Sequence, residues 1–120
     1  YKVMQCQSEV LAPEPFYGSV EYKLTLLEAT DRKLQHYASQ MRWRISESES
    51  RAVYYIGVND NGTRIGMPRD QVLPTINTLE RIVNMIDGDI CKIELQSYND
   101  LWIVKAVIKS DCPTSFMFDF

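Results

Sequence analysis

Ala52-Val53-Tyr54-Tyr55-Ile56-Gly57-Val58-Asn59-Asp60-Asn61-Gly62, residues 52–62, decides the fold class. Ala52 to Val58 is rich in tyrosine and β-branched residues, which suit a pleated, half-buried surface, so it reads as a strand. Asn61-Gly62 between two β-like runs is a hairpin signal, because both residue types tolerate positive φ. Thr63 to Gly66 is then a short returning strand. Upstream, Leu34, Tyr37, Ala38, Met41 and Ile45 recur at steps of three and four, which makes one apolar stripe of a helix. Thr30 and Asp31 offer its N-cap, since a short side-chain oxygen can accept from the first free amides. The stripe ends near Ser46, and the polar run to Ser50 is a loop. Further upstream, Val20, Tyr22, Leu24 and Leu26 alternate with Glu21, Lys23 and Thr25. Period two with one polar face is a half-buried strand, with the apolar set expected inward.

Downstream, Pro68 suits a first helical turn, where its missing amide costs nothing. Val72, Ile76, Leu79, Val83 and Ile86 form a second helical stripe, and Pro74 must fall in its opening turns or kink it. Gly88 reads as a left-handed cap. Cys91, Ile93 and Leu95 alternate with Lys92, Glu94 and Gln96. Tyr98-Asn99-Asp100 is a turn, and Trp102, Val104, Ala106 and Ile108 oppose Ile103, Lys105, Val107 and Lys109 in a last strand. The order β-α-β-β-α-β-β predicts an α+β, ferredoxin-like βαββαβ two-layer sandwich, with both helices on one face of an antiparallel sheet and an extra C-terminal hairpin strand. Residues 1–18, with Pro13 and Pro15 around Glu14, are an irregular lead-in packed through Phe16 and Tyr17. Residues 19–110 form the domain. Residues 111–120, ending in Phe116-Met117-Phe118-Asp119-Phe120, read as a cut junction to a following domain, and a start at Tyr1 fits an excised fragment.

At 120 residues the chain holds one domain. The 13 Lys and Arg against 16 Asp and Glu give a net charge of −3, without the basic excess that non-specific nucleic-acid binding needs. Cys6, Cys91 and Cys112 are far apart and the one histidine is His36, which argues against a disulfide framework and against zinc. Free thiols fit a reducing cytoplasm. Cys91, within an apolar run, is expected in the core. No apolar run approaches the ~18 residues of a membrane helix.

A phosphate loop needs Gly, four residues, then Gly-Lys-Ser or Gly-Lys-Thr, so that backbone amides and the lysine meet phosphate. Of Gly18, Gly57, Gly62, Gly66 and Gly88, none precedes a lysine, and Thr63 follows the one suitable gap. No Gly-x-Ser-x-Gly elbow accompanies His36. Glu47 and Glu49 sit in a polar loop, where solvation explains them better than acid–base work. Catalytic, cofactor and metal residues are therefore expected to be none. The exposed feature with binding character is on the first helix. At 100° per residue Trp43 lies opposite Leu34, together with Arg32 and His36, and Arg42 and Arg44 flank it. Tryptophan and arginine together mark binding hot spots. The alternative is that Trp43 packs on the lead-in segment of its own domain.

Val20-Glu21-Tyr22-Lys23-Leu24, Gln40-Met41-Arg42-Trp43-Arg44, Ala52-Val53-Tyr54, Tyr55 to Gly62, then Gly66, Leu79, Arg81 and Asp89-Ile90 together resemble the N-terminal region of a family. These are the elongation-factor-1A-like translational GTPases of the GTP-binding protein 1 and 2 kind, nearer the second. The resemblance spans residues 20–90. It departs from the family pattern at Pro74, at Asp87-Gly88 where Gly-Ala is expected, and beyond Cys91. The hairpin also resembles one in AlbA-like domains of schlafen proteins, without the charged residues their nuclease sites need. The family resemblance implies an accessory domain that precedes a GTPase domain in the same chain, with GTP and magnesium bound there. It implies links to ribosome, tRNA or mRNA surveillance. Two other readings stay open. One is an autonomous RNA-binding module, weakened because Thr63 to Gly66 offers no stacking aromatic. The other is a homodimer joined through an exposed sheet edge or a strand exchange.

Overall fold

The computed structural model describes residues 2–5, 11–15, 18–27, 30–48 and 50–110. In chain order the elements are β1 (Lys2–Gln5), β2 (Val20–Lys23), α1 (Asp31–Ser46), β3 (Arg51–Ile56), α2 (Val72–Met85), β4 (Asp89–Tyr98) and β5 (Leu101–Lys109). A single 3-10 turn, Arg69–Gln71, leads into α2. The five strands form one sheet in the order β1-β4-β5-β3-β2. Both helices lie on one face of it, so the two-layer α+β class expected from the sequence stands.

The sheet is mixed rather than wholly antiparallel. β2 runs parallel beside β3, because α1 carries the chain back to the starting end between them. β3 pairs antiparallel with β5, and β5 antiparallel with β4. β1, which falls within the expected irregular lead-in, instead pairs parallel with β4. Four residues are too few for their alternation to mark them as a strand.

The helix layer seals the main core. Leu34, Ala38, Met41 and Ile45 of α1 and Val72, Ile76, Leu79, Ile82 and Val83 of α2 meet Ala52, Tyr54 and Ile56 of β3 and Val104, Ala106 and Ile108 of β5. Thr30 caps α1 as expected, its hydroxyl accepting from the Lys33 amide at 3.2 Å. Pro74 is the third residue of α2, where the backbone amides have no partner within the helix, so the helix tolerates it. α2 closes on Asp87, not Gly88, in the left-handed conformation. The Gly88 amide bonds the Val83 carbonyl at 2.9 Å. Glycine is needed there because a Cβ would meet the Lys109 carbonyl oxygen at 2.9 Å.

Four further expectations change in the folded chain. The strand Thr63 to Gly66 shrinks to isolated bridges, Val58 to Arg64 and Met67 to Trp102. Left-handed Gly57 and Gly66 turn the chain on either side, and the Ile65 and Gly66 amides both donate to the Gly57 carbonyl at 2.9 Å. Cys91 is exposed, not in the core. A bulge between Ile90 and Lys92 makes it the extra residue, so Ile90 and Ile93 share the helix face and Cys91 turns out. The apolar set of β2 is also not the one that faces the helices. Tyr22 packs on the far face with Val58 and Ile103, while Glu21 is buried on the helix side. Leu24 is exposed, and Leu26, beyond the strand, enters the main core. The two-residue hairpin geometry with both central φ angles positive occurs at Asn99 (47°) and Asp100 (64°). At Asn59 to Gly62 only Gly62 is left-handed, at 91°. Phe16, Tyr17 and residues 111–120 lie outside the described residues.

Candidate interaction site

α1 presents its outer face because its inner stripe is spent on the core. Arg32, His36 and Arg42 are exposed on it, and Trp43 keeps 41% of its surface. Arg42 reaches across to α2 and donates from Nη2 to the Met85 carbonyl at 3.2 Å, which ties the C-terminal ends of the two helices together. Met85 is itself 40% exposed, so Arg42 and Met85 put a cation beside an exposed apolar side chain.

Arg44 differs from the other four candidates. It is 3% exposed and belongs to the interior. Its Nε donates to Glu21 Oε1 at 2.8 Å, Nη1 to the Gly18 carbonyl at 3.0 Å and Nη2 to the Pro15 carbonyl at 3.1 Å. The Trp43 ring lies 4.7 Å from its guanidinium carbon, close enough for cation–π attraction. The structure therefore brings Arg32, His36, Arg42 and Trp43 to one face and sets Arg44 behind it as an anchor. A guanidinium with its donors engaged this way is charge-matched internally rather than offered to a partner.

A second polar region was not singled out from the sequence. A cleft of about 640 Å³ opens between the 11–15 segment, β2, α1 and the hairpin, lined by Glu14, Glu21, Lys23, Gln40, Asn59 and Asp60 among others. Lys23 Nζ donates to Gln40 Oε1 at 2.6 Å and lies 3.6 Å from Glu21 Oε2. It also stands 5.1 Å from the centre of the Tyr37 ring. Burial lifts the Glu14 carboxyl above its ordinary value, and the nearby Glu21 and Asp60 add to the rise. Burial raises the Tyr22 phenol in the same way. Tyr54, under α1, is raised further by burial, and its hydroxyl has no hydrogen-bond partner among the described residues. No local sequence signal marks this cleft, because Glu21 and Lys23 look like the wet side of an alternating strand. Among the described residues no group of three or more His, Cys, Asp or Glu is arranged to hold a metal ion. No described helix is long and apolar enough to cross a membrane.

Fold and site together define a small α+β domain with a packed two-helix layer, a charged and aromatic outer helix face, and a polar corner at one sheet edge. The chain is 43% identical over 89 residues, 73% of its length, to the uncharacterized protein R625 of Acanthamoeba polyphaga mimivirus. It is 38% identical over 80 residues, 67% of its length, to GTP-binding protein 2 of mouse and of human. It spans about half of R625 (48%) and 13% of GTP-binding protein 2. The resemblance read from the sequence is thus matched by a shared segment with GTP-binding protein 2, as a domain-sized piece of that larger protein. No protein-family model matches the chain.

Proposed function

We propose that this chain is a non-catalytic accessory domain of an elongation-factor-1A-like GTP-binding parent. Such a domain positions a nucleotide-binding domain of the same chain, or contacts a ribosome, a tRNA or a protein partner, in the cytoplasm. The observation that carries the reading is the 80-residue segment shared with GTP-binding protein 2, which accounts for 13% of that protein. The match to R625, where the shared segment is 48% of the whole, supports a portable module that serves more than one setting. Among residues 1–120 no glycine-rich loop with a following lysine exists to cradle phosphates. GTP and magnesium belong, in this reading, to a domain outside these residues.

The contact face is the outer side of α1. Arg32, His36 and Arg42 supply charge, and Trp43 supplies a rigid aromatic surface held against the Arg44 guanidinium. Isothermal titration of GTP with magnesium into this chain tests the non-catalytic part. Only the heat of dilution is expected. A micromolar dissociation constant overturns the reading.

A further inference from the structure

The segment Leu11–Pro15 is fastened to the domain at its two ends and in its middle. The Leu11 amide donates to the Gly62 carbonyl at 2.8 Å, and the Glu14 amide to the Asp60 carbonyl at 2.7 Å. The Tyr22 hydroxyl donates to the Ala12 carbonyl at 2.6 Å. Arg44 holds the Pro15 carbonyl from inside the domain. Leu11 packs on the small apolar cluster of Tyr22, Val58 and Ile103 on the sheet face away from the helices. Gly62 leaves room for this approach, since a Cβ there would collide with the Leu11 carbonyl oxygen. β2 is the edge strand of the sheet. Its ladder to β3 uses Ser19 and Lys23 as acceptors, so the intervening Tyr22 amide points away from β3. No strand answers that amide. The Glu14 carboxylate does, at 2.6 Å.

We propose that Leu11–Pro15 is a detachable strap over the outer edge of β2, and that the charge on the Glu14 side chain controls how firmly it is attached. Glu14 faces Glu21 from β2, Asp60 from the hairpin and Arg44 from α1. Lys23 is turned to Glu21, and Arg64 acts on Tyr22 beside it. The Arg44 guanidinium favours the other carboxylate, since it stands 3.9 Å from Glu14 and 2.8 Å from Glu21. An ionised Glu14 is therefore partly buried beside two like charges, with Arg44 drawn closer to Glu21 than to it. A protonated Glu14 still accepts from the Tyr22 amide and donates to Glu21.

Burial and the like charges raise the Glu14 carboxyl in the attached strap above an ordinary value of 4.5, and they outweigh the Tyr22 amide, whose hydrogen bond pulls it down. Attachment thus takes up a proton. It is firmest below the ordinary carboxylate value and weakens as pH rises through the raised one. Detachment opens an unpaired edge amide and uncovers the Tyr22, Val58 and Ile103 cluster, so the strap guards the most adhesive edge that this side of the sheet has.

Hydrogen exchange read by NMR at the Tyr22 amide, expressed as a protection factor from about pH 4.5 to about pH 8, tests this. In the native chain Tyr22 protection is expected to fall with rising pH, while the Ala106 amide of β5 stays protected. E14Q keeps the acceptor and a donor without the charge. Its Tyr22 protection is expected to be flat with pH and no lower than the native acid level. E14A is expected to lose Tyr22 protection at every pH by about tenfold or more, the worth of a donor left without its acceptor. Native protection that holds or rises with pH overturns the proposal. So does an E14Q profile that follows the native one, or E14A protection equal to native with Ala106 unchanged.

Discussion

α1 and α2 lie side by side on the same sheet face, but they hold to it by different means. α2 buries Val72, Thr75, Ile76, Thr78, Leu79, Ile82 and Val83. Its two buried hydroxyls turn to local partners, Thr75 to the Met67 sulfur at 3.5 Å and Thr78 to the Pro74 carbonyl at 3.1 Å. α1 begins in the same apolar manner with Leu34, Ala38 and Met41, then sends Arg44 inward to Glu21. The reason lies in what each helix covers. α2 rests among β-branched and aliphatic side chains of the central strands, where burial of apolar area is the main source of stability. α1 also reaches the edge strand β2, whose Glu21 and Lys23 face the helix layer and require partners once water is excluded. A helix fixed by an ion pair at one end is specified in register by that pair, and its outer face stays available. The two helices thus divide the labour. α2 closes the core, and α1 links the core, the strap and the exposed Trp43 face.

The contrast breaks most sharply at Arg44. Arg44→Ala leaves the buried Glu21 with only the longer contact to Lys23, at 3.6 Å, and is expected to cost about 3 kcal/mol. The check is the midpoint of urea unfolding. The double variant R44M/E21L removes both charges and is expected to recover most of that loss, since a buried pair replaced by apolar groups is often neutral or better. A double variant as unstable as R44A would mean that the bonds from Arg44 to the Gly18 and Pro15 carbonyls matter more than its pairing with Glu21.

α2 is tested by Ile82→Ala, a fully buried site in the main apolar core. The expected loss is about 2–5 kcal/mol, and no second substitution at a polar site should rescue it. Calorimetric unfolding of I82A and R44A side by side separates a cavity from a buried charge that has lost its closer partner. The smallest effect belongs to Tyr54, which lies beneath α1 in the field of Glu21 and Arg44. Tyr54→Phe removes a buried hydroxyl that has no partner among the described residues and keeps the ring. Stability is expected to hold or rise by up to about 1 kcal/mol in thermal unfolding. A loss of that size would show that the hydroxyl is satisfied after all.

What the sequence determined by itself was the set of elements whose signals are local. The helical stripes of 34–45 and 72–86, the Thr30 cap, the tolerated Pro74 and the alternation of 102–109 all follow from periodicity and backbone chemistry. The outward direction of Arg32, His36 and Trp43 follows as well, because an apolar stripe on one side of a helix leaves the other side wet. The segment shared with GTP-binding protein 2 was likewise legible in contiguous residues. The tertiary structure alone decided which side of β2 is inside, since an alternating strand has two faces and only the helix above it, carrying Arg44, selects the charged one. It alone placed Lys2–Gln5 in the sheet, turned Cys91 outward through a bulge, and made Glu14 the hydrogen-bond acceptor for an edge amide. Each of these depends on a partner far along the chain. A residue's own neighbours set its conformation, but which surface it loses to water is set by what the fold brings against it.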